Sequence, residues 1–268
     1  MVQKRVIPEL VMSAKRSVWR MDDHGGEGAD KEFARVRASI LDACGGVCEF
    51  CTLTSGKYQE VHHGDDNHRN NKAENLFGSC PLCHQVFHLG LAGMRDGGTV
   101  IYAPEFTQAE INQIALLIWT IDATKDAVSN EMPLFKRIHA AASKLSGELE
   151  NRRGTVLLRL NKYLKENKLI PEGMKPALSH FSPSLFANIL MSLDDETYDK
   201  RADLLGGLRL LPRKTRFANR VVHWRDEQSK TMPIKDWPDL IPERELSAII
   251  TSCMWRVQAA EKIIATAG

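Results

Sequence analysis

The sequence predicts an α+β fold in which a small zinc-knuckle module, two strands and a helix, packs on a mainly α-helical body. Three observations carry this expectation. Two Cys-x-x-Cys pairs, Cys48/Cys51 and Cys80/Cys83, bracket a double histidine at His62 and His63. A polar, turn-forming stretch, GDDNHRNNKAEN, follows that histidine pair, as a loop joining a β-hairpin to a helix would. From Thr107 onward, apolar residues recur at helical spacing through most of the chain.

Taken in order, an early strand is expected near Val11 to Arg20. A Gly-rich acidic loop, DDHGGEGAD, follows it, with His24 solvated. Residues 31–44 place Phe33, Val36, Ile40 and Leu41 on one face of a helix, with Arg35 and Arg37 facing solvent or, alternatively, phosphate. Beyond the knuckle, Thr99 to Ala103 is a short β-rich run between glycines and Pro104. Thr107 and Glu110 form a capping box for a helix bearing Ile111, Ile114, Ala115, Ile118 and Ile121. Leu117 and Trp119 widen its apolar surface, which suits a deep core or a partner-facing helix.

The remainder reads as helical. Two amphipathic stretches are separated at Gly154, and IPEGMKPALSHFSP is a Pro/Gly-punctuated linker. Short helices are expected at Leu185 to Leu193 and Asp195 to Leu205. A basic helix then starts near Pro212, with Arg209, Arg213, Lys214, Arg216 and Arg220 forming a solvated face or a site for phosphates or an acidic partner segment. A Pro-rich turn, MPIKDWPDLIPE, precedes a terminal amphipathic helix over 242–266. A formal net charge of +2 exerts little whole-molecule attraction on nucleic acid, so any such contact needs a local basic patch. The sequence shows neither a membrane-length apolar run nor a secretory signal pattern, which makes a reducing cytoplasm the expected compartment.

The chemistry concentrates in residues 48–88. A thiolate pair two residues apart grips one face of a tetrahedral ion and a second pair closes the cage, so Cys48, Cys51, Cys80 and Cys83 read as a structural Zn²⁺ site. Buried free thiols or disulfides are the alternative, and disulfides need an oxidising compartment. Cys44 and Cys253 are left as packing cysteines, although Cys44 lies near enough to the first pair to substitute in the cage. His84 and His88 are four apart and share one face of a helix starting at Cys83. With His62 they could hold a second divalent ion that keeps open positions, as a catalytic metal requires. His63 points to the other side of a strand over Tyr58 to His63, where it could act as a general base on water, with Asn75 fixing it through hydrogen bonds.

This constellation resembles the HNH, or ββα-metal, nuclease motif in its four-cysteine form. The loop DDNHRNNKAENL is similar to that family's connection to its final helix. The resemblance implies His63 as the base, and His62, His84 and His88 as ligands of a catalytic Mg²⁺ or other divalent cation. The competing reading is a zinc scaffold whose histidines stabilise the knuckle or extend the cage.

A second resemblance lies outside the knuckle. GGTVIYAPEFTQAEIN and, much later, GLRLLPRKTRF with Trp224 look like the IcmJ (DotN) family of type IVB secretion systems, with the same order of parts over roughly residues 10–226. It implies a cytoplasmic zinc-binding adaptor at the inner-membrane face of a secretion or conjugation apparatus. Such an adaptor docks on a DotL-type coupling ATPase among the other coupling-complex subunits, and DNA is a possible further partner. The secretion members of that family lack the His-His and His-x-x-x-His set, which this sequence carries in full. The expected division is an HNH-like zinc module over residues 1–106 and a helical domain over 107–268. Two functions follow, adaptor first and metal-dependent HNH endonuclease as the alternative.

Overall fold

A computed structural model describes residues 5–15, 26–124, 133–166, 182–231 and 243–266. In chain order the elements are α1 (Gly26–Ala43), β1 (Glu60–His63), β2 (Leu76–Ser79), α2 (Pro81–Phe87), α3 (Leu89–Met94), β3 (Gly98–Tyr102) and α4 (Gln108–Ala123). They continue as α5 (Pro133–Glu166), α6 (Pro183–Ser192), α7 (Asp195–Asp199), α8 (Arg201–Leu204), β4 (Leu208–Pro212), α9 (Lys214–Thr231) and α10 (Glu243–Thr266). The fold is thus helix-dominated α+β, with two separate two-stranded antiparallel sheets among the described residues. The chain divides into two compact units, Met1–Gly97 with Pro183–Leu204, and Gly98–Ser182 with Leu205–Gly268.

In the first unit, α1 buries the face that periodicity marks out. Ile40 packs with Val61 of β1 and Leu76 of β2, and Phe33, Val36 and Leu41 lie against this cluster. β1 and β2 pair with His62 opposite Phe77 and His63 opposite Leu76. Pro81 opens α2 where its missing N–H is no loss, and Cys80 is the residue before it. The later segment α6 to α8 returns to this unit and lies on α3. It comes so close that a Cβ on Gly93 would sit 2.1 Å from Ser184 Oγ and 2.4 Å from its backbone nitrogen, so glycine is required there.

The strand expected from Val11 is not formed over residues 11–15, and 16–20 lie outside the described residues. The backbone bonds of this segment go instead to the α2–α3 junction: Ser13 N–H donates to Val86 O and Leu89 N–H to Ser13 O, both at 3.0 Å. Tyr198 anchors the same segment by donating its hydroxyl to Ala14 O at 2.8 Å. The acidic loop expected before α1 is partly helical, because α1 already starts at Gly26; His24 lies outside the described residues.

In the second unit, β3 pairs along its whole length with β4, from Gly98 opposite Pro212 to Tyr102 opposite Leu208. The RLLP stretch expected near a helix start is therefore a strand, and the basic helix begins after it at Lys214. Gln108 seals the open side of β4, accepting from Leu210 N–H at 2.8 Å and donating to Leu210 O at 2.8 Å. The Thr107–Glu110 capping box is present, and α4 buries Ile111, Ile114, Ala115, Ile118, Trp119 and Ile121, so its broad apolar surface is core. Trp119 stacks on Phe217 of α9 at 5.9 Å.

The break expected at Gly154 is absent, and α5 runs unbroken for 34 residues. One helical glycine costs only about 1 kcal/mol, which a helix buried at Ile138, Leu145 and Leu149 absorbs. Arg152, 3% exposed, ties α5 to its neighbours by donating to Val257 O at 2.8 Å and pairing with Glu105 at 3.1 Å. The segment expected as a single helix over Asp195 to Leu205 is split into α7 and α8. Most of the expected linker and of the Pro-rich turn falls outside the described residues. Among the described residues, no helix is long and apolar enough to cross a membrane.

Candidate metal centres

The four cysteines come together because two tight turns present them to one point. Around the first pair, Val47 bridges to Thr54, Cys48 N–H donates to Leu53 O at 2.9 Å, and Thr52 N–H donates back to Cys48 O at 2.9 Å. Thr52 turns the chain with φ 63°, in the left-handed region. The second pair uses the end of β2 and the first turn of α2. All four side chains are buried and their Sγ atoms lie within 4.8 Å of one another, with Cys51 and Cys80 at 3.6 Å.

A tetrahedral Zn–S₄ cage with bonds of about 2.3 Å has sulfur–sulfur edges of about 3.8 Å, so the cluster fits a zinc ion closely. No disulfide joins them. Hydrogen bonds from Cys51, Cys80 and Cys83 hold the Cys48 thiol far below the usual range, while burial pushes Cys80 up. Hydrogen bonds with Cys48 and Cys51 push Cys83 up. Four buried thiols thus share too little positive charge for full ionisation, which a divalent ion supplies. Cys44 stays outside the cage, donating its thiol to Leu41 O at 3.2 Å, and Cys253 is a half-buried residue of the second unit.

His62, His84 and His88 form a second cluster, again with ligand atoms within 4.8 Å of one another. β1 supplies His62, whose ring stacks on Phe87 at 3.8 Å and 10°. α2 supplies His84, and His88 caps its end. Nε2 of His84 lies 3.2 Å from Nε2 of His88, close to the edge of about 3.3 Å that a tetrahedral ion with bonds of about 2.0–2.1 Å demands. Behind them, His84 Nδ1 donates to the Glu60 carboxylate at 2.5 Å. That bond fixes the ring and turns the Nε2 lone pair inward, as partners of metal-bound histidines do. The Nδ1 of His62 is buried without a hydrogen-bond partner. Burial holds His62 down at about 3 and His88 at about 2, so both rings are neutral, the form that ligates metal. Three imidazoles suit zinc, copper, iron or nickel better than magnesium, which takes oxygen ligands.

His63, one residue on, faces the other side of β1. Its Nε2 lies 3.0 Å from Asn71 Oδ1, and Asn71 Nδ2 donates to Glu32 at 3.3 Å. This network assigns the proton of His63 to Nε2 and the lone pair to Nδ1. The His63 ring stacks on His68 at 4.7 Å and packs against Phe33, and burial lowers its pKa.

The hydrogen bond expected from Asn75 to His63 is made by Asn71. Asn75 instead cross-braces the loop: its Oδ1 accepts from Asp65 N–H at 2.9 Å, and its Nδ2 donates to Asp65 Oδ1 at 2.8 Å and Asn70 O at 2.9 Å. His63, His68, His84 and His88 open into one cavity of about 630 Å³ within the first unit. Glu60, His68 and Asn71 escaped the sequence reading. Glu60 carried a usable signal, since it lies two residues before His62 on the same strand face. Asn71 is one of several asparagines in its loop, with nothing to single it out.

No family model matches this sequence. The chain is similar to the type 4 apparatus protein DotN of Legionella pneumophila, with 24% identity over 218 residues, 81% of this chain and 89% of that protein.

Proposed function

We propose that this protein is a zinc-stabilised component of a type IV secretion apparatus. In this reading it is a cytoplasmic adaptor that docks on the coupling ATPase at the inner-membrane face, beside the other coupling-complex subunits. The observation that carries this reading is the extent of the similarity to DotN. Its 218 matched residues exceed the length of either compact unit, so the likeness includes the helical unit as well as the cysteine-bearing one. The buried thiol cluster supports the zinc, because its spacing fits that ion and its unit otherwise has small strands and short helices to hold it together. The test is co-purification. A tagged chain, loaded with zinc, retains the coupling ATPase from detergent-solubilised membranes of its own host, and Cys80→Ser loses it. Failure of the zinc-loaded chain to retain that ATPase overturns the adaptor reading.

A metal-dependent HNH-like nuclease is the second reading, favoured by one specific observation: His63 opens into the same cavity as His84 and His88 of the imidazole cluster. The chain order β1, β2, α2, with His62 and His63 on the strand and His84 on the helix, supports this reading. His62, His84 and His88 would hold a divalent ion, which when bound would supply Lewis-acid stabilisation to a phosphoryl oxygen. His63 takes a proton from water at the nitrogen that Asn71 leaves unprotonated, Asn71 keeps the ring in place, and Glu60 orients His84. Nicking of supercoiled plasmid with Zn²⁺, Ni²⁺, Mn²⁺ or Mg²⁺, abolished in a folded His63→Ala variant, is the expected outcome. Equal nicking by both proteins removes His63 from the chemistry.

A further inference from the structure

Resting on the second reading, the geometry points to single-stranded nucleic acid as the ligand of the histidine cavity, with one unstacked base seated between α3 and α6 and the flanking phosphates on a basic rim. The cavity is not an open groove. One wall is α6, a segment that returns from beyond residue 182 and is held against α3 by the close approach at Gly93. Its lining is largely apolar around the histidines: Phe33, Leu91, Met94 and Met191. Met94 and Met191 are 68% and 42% exposed, an apolar mouth that nothing in the fold of this unit explains. Met94 and Met191 of this lining suit the flat, apolar face of a base, because thioether side chains adapt their shape to it.

The charges agree with a polyanion. Lys15, Arg37 and Arg95 line the same cavity, and Glu60, the acidic residue among the lining, is engaged with His84. This is the local basic patch that a chain of net charge +2 needs for such a ligand. A paired duplex keeps its bases stacked and turned inward, so it would reach the rim but leave the apolar mouth unfilled. A flexible single strand fills both.

The experiment measures binding of fluorescent oligonucleotides by anisotropy to the full chain after mild chelation, which leaves zinc in the thiol site and empties the imidazole cluster, so that cleavage plays no part. The expected result is single-stranded DNA bound about tenfold or more tighter than a duplex of the same sequence, since a stacked base contributes about a factor of ten or more. A strand of the same length with abasic sites loses that advantage. The double variant Met94→Ala/Met191→Ala, at exposed positions and with zinc content checked, loses it as well. Duplex binding as tight as single-strand binding, full affinity of the abasic strand, an unaffected double variant or no binding of any oligonucleotide each overturns the inference. Binding without any nicking in the plasmid assay keeps this inference and removes the nuclease, so the two failures are distinguishable.

Discussion

The two candidate metal-ligand clusters of the first unit meet at α2, which carries Cys83 and His84, and differ in how closed they are. The thiol cluster is closed: every cysteine is buried, the four sulfurs lie within 4.8 Å of one another, and no cavity described above opens on them. The imidazole cluster is three-cornered, two of its members are only half-buried, and those two, His84 and His88, face a cavity of about 630 Å³. A closed set of four anionic ligands stabilises a fold, whereas three neutral ligands with an open side leave room for a fourth group. The carboxylate of Glu60 behind His84 sharpens the difference, because such a partner tunes a ligand rather than a scaffold.

The largest effect that separates the clusters is expected from Cys80→Ser. Removing one thiolate from a closed cage abolishes zinc binding worth on the order of 10 kcal/mol in small zinc modules. The first unit should lose its near-ultraviolet dichroism, while the helical signal of the second unit remains. A variant that stays folded without zinc would mean that the thiols are ordinary core residues.

Acid should expose the imidazole cluster next. Burial holds His62 at about 3 and His88 at about 2, against 6.5 for the ordinary side chain. Above pH 6.5 both folded and unfolded chains carry these rings neutral, so the full stability is present. Below it the unfolded chain takes up protons that the folded one refuses, and stability falls as pH drops towards 3. The slope is about 1.4 kcal/mol per pH unit for each such histidine. Urea midpoints at pH 7.5 and 5.5 should therefore differ more in the unsubstituted chain than in His62→Phe. Equal pH dependence in both proteins would show that His62 titrates normally in the fold.

Glu60→Gln is expected to have the smallest effect. The amide keeps the shape and the hydrogen-bond acceptor but loses the charge behind His84, so metal affinity at the imidazole cluster should fall about 10- to 100-fold with the fold and the thiol site unchanged. Calorimetric titration of Zn²⁺ into the chain already holding its tight first equivalent reads this directly. An unchanged second affinity would place Glu60 outside the site.

Both clusters were legible in the sequence for the same reason: Cys-x-x-Cys and His-x-x-x-His are local spacings that a turn or a helix converts into geometry without help from distant residues. What surrounds them was not legible. The α6 wall of the cavity comes from Pro183–Ser192, long after α3 in the sequence, and β3 finds β4 only after more than a hundred residues, so neither partnership leaves a local trace. Residues 11–15 have strand-like composition, yet their hydrogen bonds are taken by the α2–α3 junction, and tertiary partners overrode the local preference. Gly154 marks a break by propensity, but a long helix buried at Ile138, Leu145 and Leu149 carries the chain through. The His63 partner went to Asn71 rather than Asn75 because Asn75 is committed to bracing its own loop.

The most direct measurement is metal content per chain by elemental analysis after dialysis against zinc, for the unsubstituted protein, for Cys80→Ser and for His84→Ala/His88→Ala. Two separate sites are expected to give two zinc ions in the first protein, and one in the histidine variant that resists mild chelation. No tightly held zinc is expected in Cys80→Ser. Zinc retained in full by Cys80→Ser, or lost completely from the histidine variant, would contradict the assignment of a closed thiol site beside an open imidazole site.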